Sequence, residues 1–364
     1  MKQHHKGAVA QPASQGYITC EAEIIPGLEG FAAAELRQRF RQRVVVEQGY
    51  KEGLVPFAYD GDLTALLDLE TVLAIYGLRH FPIPRPLALL GNTEFAILLS
   101  MIEVVRELHP ANAFQSFRIS AAGEASTVMQ RLRERIVEST GLAFVASEGD
   151  LLIRLRRPLD GSPGWEVLIR LSPRPLSVRR WRVCNLPGAL NASIAQAMVR
   201  LTQPNSDDAV LNIGSGSATL LVERLQAGAA RIALGCEPDQ EALRCGEENV
   251  RASGHSMISL VDWDVANLPM PPACVDVLLA DLPFGQLVGS TSENDRLYRD
   301  VLREGARVAI GGALFVAITA DIRRWEHLVA DAAADWTLDT VLPIKLPFGG
   351  GHIRPRIYLL RRKG

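Results

Sequence analysis

The segment Asp281-Leu282-Pro283-Phe284 sets a carboxylate, a proline and an aromatic ring side by side, directly after an apolar run at 275–279. The run predicts a buried strand, so these groups would lie at its carboxyl end. A carboxylate accepts N–H hydrogen bonds, a phenyl ring stacks on flat rings, and a proline stiffens the backbone and has no N–H to compete for the acceptors. The segment therefore suits a flat ligand that bears an amino group; the competing interpretation is a turn with a core phenylalanine.

A glycine loop, Gly214-Ser215-Gly216-Ser217, leads from another predicted strand into a helix. Its glycines let the backbone turn sharply and let a ligand approach the amides at the helix N-terminus, although glycine turns also serve simple strand-to-helix geometry. Glu237 closes the next predicted strand, where an acid can accept hydrogen bonds from both hydroxyls of an adenosine ribose. Asp264 follows the third strand, where it can accept from an adenine amino group.

The loop, Glu237, Asp264 and Asp281 follow four successive predicted strands. Ligands of open α/β sheets bind outside the carboxyl ends of the strands, so the set predicts an adenosine-containing ligand, whereas each acid alone is more typical of a helix cap. A nicotinamide dinucleotide site usually has a third glycine or alanine where this chain has Thr219, and a second mononucleotide-binding half. S-adenosylmethionine is therefore favoured as the cofactor, with a nicotinamide dinucleotide as the alternative.

The pattern of predicted strands and helices changes near residue 209. From there buried strands alternate with helices, which predicts a parallel doubly wound sheet; two final strands at 336–345 and 353–361, joined by the glycine-rich segment 347–351, predict an antiparallel closing hairpin. Upstream, the pattern predicts two α+β units divided at the proline-rich segment 81–86, with a helix over 63–75 in the first. The predicted division is a flexible tail at 1–16, α+β units at 17–86 and 87–175, a linker and helix at 176–208, and an α/β domain at 209–364.

The composition, 48% hydrophobic and 22% charged, is that of an ordinary globular protein and argues against a disordered chain. The longest strongly apolar stretch, 308–319, is too short to span a bilayer, and no charged-then-apolar signal sequence opens the chain, so we expect a cytoplasmic protein. The five cysteines are scattered and form no CxxC pair, which predicts reduced thiols and no metal site. They are Cys20, Cys184, Cys236, Cys245 and Cys274.

Positive charge gathers between residues 154 and 182, where eight arginines occur with only two acids in a chain whose net charge is −2. Arginine forks match phosphate oxygens and stack on bases, so the segment favours a nucleic-acid partner; a solvated charged face is the alternative. The candidate RNA-binding residues are Arg154, Arg156, Arg157, Arg174, Arg179, Arg180 and Arg182.

These features together resemble a known family, the class I S-adenosylmethionine-dependent RNA methyltransferases that carry an N-terminal THUMP domain and form N2-methylguanosine. Their motif after the fourth strand often reads Asp-Leu-Pro-Phe-Gly, which residues 281–285 match one by one. Pro187-Gly188-Ala189-Leu190-Asn191 is similar to the segment before the family's cofactor loop, and 302–308 with Gly311-Gly312 fits its later pattern. The resemblance implies a Rossmann-like methyltransferase domain after residue 209, a ferredoxin-like unit at 17–86 and a THUMP-like RNA-binding unit at 87–175.

The resemblance also implies a mechanism. The lone pair of an exocyclic base amine is delocalised into the ring; if Asp281 and the Leu282 carbonyl each accept one amino hydrogen, the nitrogen can pyramidalise and direct its lone pair at the methyl group. Pro283 would stiffen the loop and Phe284 would stack on the extruded base, with no metal and no covalent intermediate required. The implied cofactor-binding residues are Asn191, Asn212, Gly214, Gly216, Ser217, Glu237, Asp264 and Asp281.

The cofactor loop departs from the family pattern. Similar enzymes read Asp-Pro-x-Cys-Gly-Ser-Gly-Thr or, more broadly, Asp-x-Gly-x-Gly, and the acid of these patterns falls at Val210 or at Asn212 here. A neutral hydrogen bond to the cofactor's ammonium group, in place of a charged one, would weaken cofactor binding by about 1 kcal/mol.

The substrate that the resemblance implies is tRNA, commonly a guanosine of the acceptor stem. Three alternatives stay open. One is guanine-N2 methylation of 23S ribosomal RNA, and another is methylation of adenine N6 or cytosine N4 in DNA, which uses the same Asp-x-Pro-aromatic logic. The third is an RNA-binding protein with a catalytically degenerate methyltransferase domain, which the neutral Val210 and Asn212 favour.

Overall fold

The computed structural model describes residues 16–49, 51–284 and 291–364. The predicted tail at 1–16 falls almost wholly outside these residues, as does Gly285 of the motif. Within them, no helix combines the length and the apolar character that crossing a membrane requires.

The N-terminal half is built on one eight-stranded sheet of order β2-β3-β1-β4-β8-β7-β5-β6. The two predicted α+β units form its two halves, and antiparallel pairing of β4 with β8 joins them. Its elements are β1 (Ile18–Glu23), α1 (Glu29–Phe40), β2 (Val44–Val46), β3 (Leu54–Tyr59), β4 (Ala74–Phe81), α2 (Asn92–Glu107), β5 (Ser116–Ala121), α3 (Thr127–Thr140), β6 (Ala143–Phe144), β7 (Leu151–Arg156) and β8 (Trp165–Arg170).

The helix predicted over 63–75 is wrong. A short 3-10 helix covers Leu63–Asp68, and the chain then enters β4. The leucines of the first part have helical spacing, but Ile75, Tyr76 and Phe81 are the β-branched and aromatic types that suit a pleated sheet, and strands on both sides supply the partners. Strand β3 was not predicted, because its Pro56 argues against a strand in the sequence alone.

The C-terminal half is a seven-stranded sheet of order β11-β10-β9-β12-β13-β17-β14. Parallel strands run from β11 to β13, and β17 lies antiparallel between β13 and β14, which confirms the Rossmann-like sheet with an antiparallel closing pair. Its elements are α4 (Ala192–Leu201), β9 (Ala209–Ile213), α5 (Thr219–Gln226), β10 (Ile232–Cys236), α6 (Gln240–Ser253), β11 (Ile258–Val261), β12 (Val275–Asp281), α7 (Thr291–Val308), β13 (Ala309–Thr319), α8 (Ile322–Asp331), β14 (Trp336–Pro343), β15 (Leu346–Phe348), β16 (Gly351–Ile353) and β17 (Arg356–Arg362).

Each face of this second sheet is covered by its own core. Val210 and Val277 point into a cluster that continues into the N-terminal half, whereas Leu211 and Leu278 point into a cluster that contains residues of α7 and α8. Alternate residues of a strand face opposite sides of a sheet, so continuous apolar strands are what a doubly covered sheet requires.

Contacts between the two halves are close and partly buried. Arg200 of α4 donates to Glu35 of α1, whose side chain is fully buried, at 3.0 Å and to Glu70 at 3.3 Å. At Gly27 (φ +101°) an added Cβ would lie 2.3 Å from the Pro343 carbonyl, so only glycine permits this approach of the N-terminal half to the end of β14. The N-terminal sheet is therefore packed directly on the second domain.

The prediction that all cysteines are reduced thiols is wrong for one pair. Cys184, in the linker, forms a disulfide with Cys245 of α6, and Cys20, Cys236 and Cys274 are free. The two cysteines are 61 positions apart, so the sequence does not reveal their proximity. Asn249 of α6 strengthens the same junction, because its Oδ1 accepts from the amides of Val183 and Cys184 at 2.9 Å.

Candidate cofactor and base-binding site

The strand register brings the predicted site residues to one edge of the second sheet. Ala280 of β12 aligns with Ile213 of β9, Ile213 aligns with Cys236 of β10, and Cys236 aligns with Val261 of β11. The next residue of each of the first three strands is Asp281, Gly214 and Glu237, so these three lie at the same level. The chain order reverses between β9 and β12, and such a switch point is where open α/β sheets bind ligands.

The glycine loop is held from behind by the acid of the next strand. Glu237 accepts from the Gly216 amide at 2.9 Å and from the Asp239 amide at 3.0 Å. Gly214 (φ +62°) and Gly216 (φ +47°) lie in the left-handed region, and a Cβ added at either would meet no atom within 4 Å, so the space beside the loop is open. A carboxylate has about four lone-pair sites, which leaves Glu237 free to accept from ligand hydroxyls as well.

Asn212, which stands where the broader family pattern has an acid, is built into the sheet. Its side chain is buried, and its Nδ2 donates to the Leu279 carbonyl of β12 at 3.1 Å. Its Oδ1 is buried without a hydrogen-bond partner among the described residues, as is the Ser215 hydroxyl. Two orphaned polar oxygens in or next to the glycine loop fit a ligand that brings donors, such as the ammonium group of S-adenosylmethionine.

Asn191 and Asp264 serve as helix caps in this structure. Asn191 accepts from the Ser193 amide at 2.9 Å and begins α4, and Asp264 accepts from the Ala266 amide at 2.9 Å and begins the 3-10 helix Val265–Asn267. The Ser217 hydroxyl lies 2.9 Å from that of Thr219. The roles predicted for Asn191, Asp264 and Ser217 in cofactor binding stay predictions.

Asp281 ends β12 in an unusual environment for a carboxylate. It is half-buried, and its carboxylate has no ion-paired or hydrogen-bonded partner within the described part of the chain. The resulting loss of hydration raises the pKa of Asp281 to about 7. Carboxylates with perturbed pKa values and no structural partner are typical of functional sites.

The backbone after Asp281 is fixed by its neighbours. The Leu282 amide donates to the Ile318 carbonyl of β13 at 3.0 Å, and the Leu282 side chain is buried. The Pro283 carbonyl accepts from the Tyr298 hydroxyl at 2.5 Å, while Phe284 is half-buried against the core. Sequence analysis did not identify Tyr298, because its contact with the motif is made only through tertiary structure.

Several of the predicted RNA-binding arginines have internal partners instead. Arg156 pairs with Glu21 at 2.6 Å and with Glu166 at 2.8 Å. Arg154 lies 3.1 Å from Glu23 and 4.5 Å above the Tyr76 ring. Glu21 and Glu23 come from β1 and Glu166 from the adjacent β8, and these acids offset the positive charge on which the prediction was based. RNA contact by Arg154 and Arg156 stays a prediction.

The remaining arginines divide into two groups. Arg179 pairs with buried Glu223 of α5 at 2.8 Å, and Arg182 donates to the Thr219 hydroxyl at 2.7 Å, directly behind the glycine loop. Arg157 stacks 4.5 Å above the Trp165 ring. The side chains of Arg174 and Arg180 are exposed and have no hydrogen-bonded or ion-paired partner among the described residues, so the argument for RNA contact is strongest there.

Residues 179–341 match the family model of the RMKL-like methyltransferase domain. The chain contains a methyltransferase domain. The matched range contains the glycine loop, the motif at Asp281 and the strands of the seven-stranded sheet except β17 and the end of β14. The matched range also includes the linker segment, whose Val183 amide donates to Asn249 of α6. Asn249 in turn donates to the Ser217 carbonyl of the glycine loop.

Among curated proteins, the chain is similar to a tRNA (guanine(6)-N2)-methyltransferase from Thermus thermophilus, with 27% identity over 304 residues that cover 80% of this chain and 88% of that protein. It is also similar to the mouse tRNA (guanine(6)-N(2))-methyltransferase THUMP3, with 24% identity over 211 residues, which are 54% of this chain. The match spans 41% of the length of the mouse protein.

Among solved structures, TrmN from Thermus thermophilus superposes with a TM-score of 0.74 at 23% identity and covers 95% of this chain and 99% of that chain. A methyltransferase complexed with SAH superposes with a TM-score of 0.66 at 14% identity, over 95% and 98% of the two chains. Both likenesses extend beyond the methyltransferase domain, so the N-terminal sheet also belongs to the shared fold.

The family pattern has an acid at the position of Asn212, but the hydrogen bond of Asn212 predicts that restoring the acid would not improve cofactor binding. Asn212→Asp replaces the Nδ2 donor with an oxygen that faces the Leu279 carbonyl, so we expect the free energy of unfolding to fall by about 1–3 kcal/mol without any gain in S-adenosylmethionine affinity. Chemical denaturation and calorimetric titration measure the two quantities, with Asn212→Ala as the control that removes both polar atoms. Tighter cofactor binding by Asn212→Asp at unchanged stability would show that the site simply lacks its acid.

Proposed function

We propose that this chain is an S-adenosylmethionine-dependent RNA (guanine-N2-)methyltransferase that acts on tRNA in the cytoplasm. The observation that supports the proposal most strongly is the Asp281 carboxylate, which has no partner within the described part of the chain and lies at the same level as the glycine loop. The backbone that follows it is fixed on both sides of Leu282. The similar proteins from Thermus thermophilus and mouse, named as tRNA guanine-N2-methyltransferases, favour the same substrate class.

The residues around the loop offer hydrogen-bond acceptors that suit the polar groups of the cofactor. Glu237 would accept from the ribose hydroxyls and Asp264 from the adenine amino group, while the orphaned oxygens of Asn212 and Ser215 suit the ammonium end. Asn191, Gly214, Gly216 and Ser217 would complete the pocket wall. Bound there, S-adenosylmethionine supplies an electrophilic methyl group on a sulfonium.

The motif residues would activate the guanine amine. Asp281 and the Leu282 carbonyl each accept one amino hydrogen, which directs the nitrogen lone pair away from the ring, and Phe284 stacks on the base. A carboxylate whose pKa is near neutrality can also take the proton that the nitrogen loses after methyl transfer. No step requires a metal or a covalent intermediate.

The N-terminal sheet would hold the RNA, with residues 87–175 as a THUMP-like unit. A cavity of about 410 Å³ lies on this half, and Arg118, Arg170 and Arg174 line it together with Glu148 and Asp150. Arg170 is bonded to backbone carbonyls, so within the described residues its charge is not offset by an ion pair. Such a cleft would bind phosphates by charge and shape rather than by base sequence.

We expect Asp281→Ala to lower the methyl-transfer rate by at least about 100-fold while S-adenosylmethionine affinity changes little, because the side chain acts on the base. Glu237→Ala should instead raise the dissociation constant of the cofactor. Mass spectrometry of nucleosides from unmodified tRNA detects N2-methylguanosine, and calorimetry measures cofactor binding. Equal loss of cofactor binding in both variants would contradict these roles, and formation of N6-methyladenine would refute the proposed substrate.

The transfer rate should depend on pH through Asp281. Only the ionised carboxylate accepts hydrogen bonds on both oxygens, and its pKa of about 7 means that lowering the pH protonates it. We therefore expect kcat/KM for tRNA, which reports the free enzyme, to rise about tenfold per pH unit below about pH 6.5 and to level off above about pH 8. Glu237→Ala at saturating cofactor should keep this profile, and a flat profile across this range in the wild type would contradict the role of Asp281.

Substitutions should distinguish arginines that contact RNA from arginines that stabilise the fold. Arg174→Ala and Arg180→Ala should weaken tRNA binding and reduce the slope of log affinity against log salt by about 1 each, with unchanged stability. Arg156→Ala should lower the free energy of unfolding by about 3 kcal/mol, because buried Glu21 loses its partner. Filter binding across a salt series and chemical denaturation test this; an unchanged salt slope in both exposed-site variants would remove Arg174 and Arg180 from the RNA surface.

A further inference from the structure

Two buried hydroxyl groups meet at the carbonyl of Pro283. The Tyr298 hydroxyl of α7 donates to this carbonyl at 2.5 Å, and the Thr319 hydroxyl at the end of β13 lies 3.4 Å from it. The two hydroxyls lie 2.9 Å apart, and both side chains are fully buried. Thr319 also accepts from the Asp321 amide at 3.1 Å, which orients its oxygen. We call Tyr298 and Thr319 the hydroxyl clamp.

The clamp is one of two anchors around the peptide that would bind the guanine amine. On the other side, the Leu282 amide donates to the Ile318 carbonyl at 3.0 Å. Between the anchors lies the Leu282 carbonyl, followed by Pro283, whose ring fixes its φ angle. With both ends held and one torsion locked, the direction of the Leu282 carbonyl has little freedom.

We propose that Tyr298, supported by Thr319, is a positioning residue that aims the Leu282 carbonyl and the start of Phe284 at the base to be methylated. This inference deepens the proposed function and rests on it. Tyr298 acts through the backbone of the motif and not by contact with the substrate. Positioning of this kind matters because a displacement of about 1 Å at a reacting group can cost about 100-fold in rate.

The environment of Tyr298 suits it to this role. Its ring packs edge-on against Trp325 of α8 at 5.4 Å between centroids, so the aromatic core determines where the hydroxyl lies. Burial raises the pKa of Tyr298 to about 12, which keeps the hydroxyl protonated and able to donate at any working pH. A tyrosine placed only for packing would not need its hydroxyl on the motif.

The same aromatic cluster offers a matched control. Tyr358 of β17 is also fully buried, and its ring lies 6.2 Å from that of Trp325. Its hydroxyl donates to Glu326 at 3.0 Å and does not contact the motif. Tyr358→Phe therefore removes a buried phenol hydroxyl from the same cluster and leaves the Pro283 carbonyl untouched.

The first test compares rates and cofactor affinity. Tyr298→Phe should lower the single-turnover rate on tRNA by about 10- to 100-fold with the S-adenosylmethionine dissociation constant within about twofold of the wild type, whereas Tyr358→Phe should stay within about threefold in rate. Thr319→Val should be impaired in the same direction and Thr319→Ser should recover most of the rate. Equal rate losses in Tyr298→Phe and Tyr358→Phe, with equal losses of thermal stability, would reduce Tyr298 to a structural residue.

The second test does not depend on the substrate. Hydrogen–deuterium exchange of a peptide that contains Leu282 and Phe284 should be faster in Tyr298→Phe than in the wild type and unchanged in Tyr358→Phe. If hydrogen–deuterium exchange of this peptide is unchanged in Tyr298→Phe, the hydroxyl clamp does not hold the motif, even if the methyl-transfer rate falls. If the wild type methylates no guanosine, the proposed function fails, while faster exchange in Tyr298→Phe alone would still establish that the clamp holds the motif.

Discussion

The candidate site depends on the parallel register of β12 against β9. The backbone ladder aligns Ala280 with Ile213, and the Asn212 amide adds a side-chain hydrogen bond to the Leu279 carbonyl of the same pair. A slip of one residue would move the end of β12 by about 3.3 Å and turn its side chains to the opposite face. Asp281 would then no longer lie level with the glycine loop, so the register that packs the two cores also sets the geometry of the site.

Several arginines form ion pairs that join elements of the fold. Arg156 bridges buried Glu21 and Glu166 across the sheet, and Arg200 ties α4 to the fully buried Glu35 of α1. Buried ion pairs gain little net stability over apolar packing, but breaking one leaves an uncompensated charge, so they favour a single arrangement of the elements they join. The pair at Arg200 thereby fixes the N-terminal half relative to the methyltransferase domain.

The sequence predicts the secondary structure that follows from local residue patterns. It does not predict contacts between residues that are distant along the chain. Alternating strands and helices after residue 209 gave the sheet and its closing pair, because these follow from local patterning and turn chemistry. The run over 63–75 fits both a helix and a turn followed by a strand, and strand partners decided between them. The disulfide, the pairs of Arg154 with Glu23 and of Arg156 with Glu21, and the contact of Tyr298 with Pro283 join residues from 15 to 135 positions apart, which no local pattern reveals.

Asp281 and the Leu282 carbonyl, the two acceptors of the proposed mechanism, differ in how they can respond to a donor. A half-buried carboxylate without a partner among the described residues is destabilising, and the loss of hydration raises the pKa of Asp281 to about 7. An incoming amine that donates to it would favour the ionised form and lower this pKa, so substrate binding itself completes the charged acceptor. The Leu282 carbonyl has no such adjustment available, because a neutral acceptor contributes only when it already points at the donor. In the proposed mechanism, preorganisation therefore has to come from the backbone anchors at Ile318 and Tyr298, while the Asp281 carboxylate would respond to the base.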